Sequence, residues 1–92
     1  MKNEILLQKL EEIAEKLSVK LTYEDLRKGE VNTHGGIFRL RSEKRIIVHK
    51  NLTIDEKIDV LIEILASLDT NDVHLAPEIR ELLDSAKKDK AS

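Results

Sequence analysis

Leu6, Leu10, Ile13 and Leu17 recur at steps of four, three and four, so they lie on one stripe of a helix over residues 4–17. Leu7 and Ala14 widen that stripe, Glu11, Glu12, Glu15 and Lys16 lie outside it, and Asn3 is placed to cap its start. The period then changes to two. Val19, Leu21 and Tyr23 alternate with polar residues as the apolar side of a short strand. Residues 24–36 hold all three glycines and little periodicity, with room for a helical turn around Asp25-Leu26-Arg27. Residues 37–41 and 45–49 read as two further strands, joined by Ser42-Glu43-Lys44 as a hairpin loop. Phe38 and Leu40 share a face, as do Ile46 and Val48, and the four together are expected to form the buried side of the hairpin.

Thr53-Ile54-Asp55-Glu56 matches the capping box S/T-x-x-E and predicts a helix over 53–68. Its inner stripe is Ile54, Ile58, Leu61, Leu65 and Leu68, flanked by Ile62 and Ile64, the signature of a central core helix. Asp69 to Asp72 is a polar break. Pro77 suits a first helical turn, and Ile79, Leu82, Leu83 and Ala86 step i, i+3, i+4, i+7. Glu78 and Lys87-Lys88 complement the helix dipole, and residues 88–92 are expected to fray. The order is α-β-β-β-α-α. The expected fold is one α+β domain over 1–87, a three-stranded antiparallel sheet with three helices on one face.

Composition narrows the chemistry. Of 92 residues, 40% are hydrophobic, yet only one Phe, one Tyr and no Trp are present, so few rings exist on which to stack a base or a sugar. No cysteine exists, which removes disulfides, thiolate metal sites and a Cys nucleophile. No apolar run reaches membrane-spanning length, and the start has no signal-peptide apolar region, so a cytoplasmic domain without membrane contact is expected.

The candidate motifs fail on spacing. His34, His49 and His74 lie far apart without the local spacing of zinc ligands, and read as exposed or rim histidines. Asp69-Thr70-Asn71-Asp72 departs from an EF-hand loop at Val73 and His74. His34-Gly35-Gly36 precedes a strand and lacks the Lys-Ser/Thr of a phosphate-binding loop; its glycines read as positive φ or close backbone packing. No catalytic residue, metal site or cofactor is expected.

Charge is the asymmetric feature. Residues 1–26 carry net −2, residues 27–50 net +5 and residues 51–92 net −5. By strand parity Arg39 and Arg41 share a face, with Arg45 and His49 on it too and Ile47 between them. With Lys44 and Lys50, these residues form the expected anion- or partner-binding surface. A solvated sheet face pairing with acidic helices is the plainer reading of the same residues.

Gly35-Gly36-Ile37-Phe38-Arg39-Leu40-Arg41, with Arg45 to Val48 and Leu61 to Ala66, resembles small uncharacterised bacterial proteins with a GG-x-x-R hairpin and a following helix. That resemblance implies no activity. More distantly, a strand pair feeding a capped helix resembles the core of ImmA/IrrE-type zincin-like metallopeptidases. In that family the helix carries H-E-x-x-H. Here Ile62-Glu63-Ile64-Leu65-Ala66 stands there, and only Glu63 matches. The resemblance implies a degenerate scaffold without the zinc-binding His pair.

The expectation is therefore a non-catalytic protein-interaction or regulatory domain, with a protein partner or a second copy bound through surplus aliphatic residues of helix 53–68 such as Val60 and Ile64. The alternatives are auxiliary nucleic-acid binding through hairpin 37–50 and a zincin-like pseudo-enzyme. If helix 53–68 is the core helix, Leu61→Ala lowers stability by ~2–5 kcal/mol in equilibrium denaturation.

Overall fold

Thr53 opens the central helix as its sequence demands. The Glu56 amide donates to Thr53 Oγ1 at 3.2 Å and the Thr53 amide donates to Glu56 Oε1 at 3.1 Å, which closes both halves of the capping box. The computed structural model describes residues 3–25 and 35–91. It contains α1 (Asn3–Lys16), β1 (Lys20–Glu24), β2 (Gly35–Leu40), β3 (Glu43–His49), α2 (Ile54–Ala66) and α3 (Pro77–Ala91). The helical turn expected beyond Asp25, and His34, lie outside the described residues. No helix among those described is long and apolar enough to cross a membrane.

The element order and the α+β class match the expectation, but the sheet is mixed. Its order is β1-β3-β2, with β2 antiparallel to β3 and β1 parallel to it. The expectation of a purely antiparallel sheet is thus corrected, for a reason visible in the residues. Ile46-Ile47-Val48 gives β3 a continuous run of three aliphatic residues that neither other strand has, so it takes the centre and leaves the charged ends of β1 and the glycines of β2 to the edges. Residues 25–34 are too many for a tight hairpin, and among the described residues β1 pairs with β3 rather than with β2.

Helix α1 closes with a Schellman motif. Val19 donates to the Ala14 carbonyl and Ser18 to the Glu15 carbonyl, both at 2.9 Å, and Ser18 has φ 61°. The reversal drops Val19 into the core and starts β1. Helix α2 packs on α1, α3, β2 and β3, while α3 packs on α2 rather than on the sheet. Leu10, Ile46, Val48, Leu61, Leu65, Ile79 and Leu83 form the fully buried centre. Within α2, Ile64 is buried and Val60 packs against the core, so the aliphatic surplus expected to bind a partner is used inside the molecule.

Two adjacent glycines have different reasons. A Cβ on Gly35 would stand 2.5 Å from the Ile47 carbonyl oxygen and 3.2 Å from Val60 Cγ1, so the bare Cα lets α2 close on the hairpin. A Cβ on Gly36 would meet nothing within 4 Å. Gly35→Ala is expected to destabilise the fold by about 1–3 kcal/mol. Gly36→Ala should stay within about 0.5 kcal/mol of the parent, as surface changes do. Urea denaturation of the two variants side by side checks the contrast.

Candidate interaction surface

The β2–β3 hairpin sets the surface through its register. Leu40 pairs with Glu43, Phe38 with Arg45 and Ile37 with Ile46, which leaves Arg41-Ser42 as a two-residue turn. Arg41 has φ 60° while Ser42 does not enter that region, the φ signature of a type II′ turn. The expected three-residue loop gives pairings of the other parity. Because side chains alternate across a strand, that difference turns every β2 residue to the other side relative to β3.

Two corrections follow. Phe38 and Leu40 do not share the side of Ile46 and Val48. They lie with Arg45 and Ile47 on the sheet face opposite the helices, where Phe38 is 42% and Leu40 50% exposed. Arg39 pairs with Lys44 on the helix side of the sheet, so it does not share a face with Arg45 and His49. Across β1 the bare face continues through Lys20, the register partner of Arg45, and Thr22, the partner of Ile47. Ile37 lies on the helix side opposite Ile46 and is still 37% exposed, because β2 is an edge strand.

His49 is buried rather than at an exposed rim, with 4% of its surface exposed. Its Nδ1 stands 3.3 Å from the Glu24 carbonyl oxygen and 3.9 Å from Asp25 Oδ1. A carbonyl can only accept, so Nδ1 carries the proton in that contact. The Lys50 amide donates to the same carbonyl at 2.9 Å, fastening the end of β3 to β1. His49 is therefore part of the sheet's closure, roughly 13 Å along the strand from Arg45.

The remaining cations stay outward. Arg39, Arg41, Lys44 and Lys50 are exposed, and Arg45 is half-buried. Arg45 Nη2 donates to Glu43 Oε2 at 3.2 Å, an exposed pair of the kind that contributes little. Arg41 and Arg45 line one open cleft with Ser18, Leu40, Ser42 and Glu43. Ser18 and Ser42, the latter expected in the hairpin loop, are not among the binding residues expected from sequence. The signal that could have found them is the turn chemistry, a residue just past a helix end and the tip of a two-residue hairpin.

On the helix side, Tyr23 donates its hydroxyl to Glu11 of α1, and Lys57 Nζ of α2 stands 5.0 Å from its ring centroid. The contact holds edge strand β1 to both helices. His74 is exposed, Glu63 is exposed on α2, and among the described residues no group of three His, Cys, Asp or Glu is arranged to hold a metal ion. Comparison of the chain with family models, with characterised proteins and with solved structures gives no match.

Burial first, then the hydrogen bond to Glu11 and its negative charge, hold the Tyr23 phenol well above its ordinary value near 10. The folded state therefore favours the protonated phenol. That contribution is fully present below about pH 10 and is lost as pH rises through the higher folded value. Tyr23 is the chain's single tyrosine, so an alkaline absorbance titration reads it alone. Tyrosinate is expected to form well above pH 10 in the folded protein. Above that pH the urea midpoint should fall faster for the parent than for Tyr23→Phe.

Proposed function

We propose that the chain is a non-catalytic protein-interaction domain that takes an acidic, apolar segment of a partner protein onto the bare sheet face and along the β2 edge. The observation that carries this reading is the exposure of Ile37, Phe38 and Leu40, none of them part of the core cluster, on a hairpin rich in cations. An edge strand offers unpaired backbone groups to an added strand, and apolar side chains beside it give that strand something to bury. Residues 35–50 hold five basic side chains against one carboxylate, so a second copy docked there would bring like charges together. An acidic segment is the complementary occupant.

A nucleic acid is the competing occupant, through Arg39, Arg41, Lys44, Arg45 and Lys50. The register sets Arg39 and Lys44 on one side of the sheet and Arg45 on the other, and among the described residues Phe38 is the single exposed aromatic ring on the bare face. This arrangement favours a short acidic segment over a continuous phosphate backbone.

Selection from a display library of unphosphorylated peptides, followed by amide-shift mapping of the winners, tests the docking surface. Binders enriched in Asp, Glu and aliphatic residues are expected, with shifts centred on β2 and β3. Phe38→Glu with Leu40→Glu should abolish binding and leave the urea midpoint nearly unchanged. Binders that map to the helices would sink the reading. Titration with duplex DNA at about 50 and 200 mM salt addresses the competitor, because phosphate contacts weaken steeply over that range.

A further inference from the structure

The turn between β2 and β3 lies beside the turn between α1 and β1, and the two leave an open cleft of about 500 Å³ between them. Donors dominate its lining. Arg41 and Arg45 each bring a five-donor guanidinium, and Ser18 and Ser42 bring hydroxyls. One carboxylate, Glu43, faces them and accepts from Arg45 Nη2 at 3.2 Å. The Arg45 Nε–H is shut off from solvent and meets no acceptor among the described residues. A buried donor without an acceptor is unfavourable, so this guanidinium is incompletely matched where it stands. Lys20 adds a further cation next to Arg45 on the same sheet face.

We propose that this cleft binds a phosphate monoester, and that Glu43 is its built-in competitor. The chemical class follows from Glu43 itself. A carboxylate tethered beside Arg45 already acts at the high effective concentration of an intramolecular group. A free carboxylate offers the same contact without the tether and does not displace it. A phosphate monoester carries nearly two negative charges at neutral pH and three acceptor oxygens, and it matches the guanidinium fork. It faces two cations, Arg41 and Arg45, once Glu43 has swung out, and Glu43 is exposed and only weakly held. Release from Glu43 frees the Arg45 side chain to turn its Nε–H onto a phosphate oxygen. The open mouth and the exposed Leu40 leave room for whatever carries the phosphate, a small molecule or a phosphorylated side chain. The site shares Leu40 and Arg45 with the sheet face and differs from docking of an unphosphorylated segment in its ligand, a phosphorylated group of a few atoms held at the hairpin tip.

Amide-shift titrations of the isotope-labelled protein with inorganic phosphate and with a short phosphoserine peptide test the site, at ionic strength held constant with chloride. Saturable shifts at Ser18, Arg41, Ser42 and Arg45 are expected with both. Glu43→Gln should tighten binding roughly three- to fivefold, the inverse of what an exposed ion pair contributes. Arg45→Lys keeps the charge and loses the fork, so it should weaken binding, and Arg41→Gln with Arg45→Gln should remove saturation while the amide spectrum stays dispersed. Tighter binding of the peptide than of inorganic phosphate identifies a phosphorylated side chain as the source, and equal binding identifies a small phosphorylated molecule. Equal shifts with acetate or chloride, or a Glu43→Gln variant that binds no more tightly, would overturn the proposal.

Discussion

The two-residue turn at Arg41-Ser42 fixes which way the hairpin faces, and most of the surface follows from it. With Leu40 opposite Glu43, Ile37 meets Ile46 on the helix side and Phe38 meets Arg45 on the bare side. A strand has only two faces, so a change of one residue in the turn would exchange them. The exchange would turn Phe38 and Leu40 toward α2 and put Ile37 and Arg39 on the bare face. Gly35 reinforces the observed choice, because its missing Cβ lets the Val60 methyl and the Ile47 carbonyl approach the β2 backbone. Register and close approach are thus two expressions of one constraint, the seating of α2 on the hairpin.

Elements with a strong local period were legible from the residues. The capping box at Thr53, the stripe through Leu61 and Leu65, and Pro77 ahead of Ile79 and Leu83 each appear in the structure where the spacing put them. Local pattern could not choose β1's neighbour, because period two says that a segment is a strand and nothing about which strand lies beside it. Nor could it settle hairpin parity. Loops of two and three residues are both common, Arg41 is an unusual residue for positive φ, and no Asn-Gly or Asp-Gly marked the turn. The shared arginine face was built on that parity, so it separated when the parity changed. His49 misled for another reason. Its burial comes from the Glu24 and Asp25 end of β1, a non-local contact that depends on the parallel pairing.

The two apolar surpluses in the chain came out in opposite places. Helix α2 carries more aliphatic residues than one face needs, which suggests a sticky exterior. It touches α1, α3 and two strands, and a helix packed on so many neighbours needs a wide apolar face, with Asp55, Asp59 and Glu63 left on the exposed side. The hairpin carries fewer apolar residues and alternates them with arginines, which suggests a half-buried strand pair with a solvated back. Its Ile37, Phe38 and Leu40 are left exposed to water. An exposed apolar side chain on an edge strand is a hazard unless charge guards it, and Arg39, Arg41 and Lys44 stand close by on the same hairpin. On the proposed reading those cations disfavour a second copy and favour an acidic segment, so one charge pattern would both guard the edge and select its occupant.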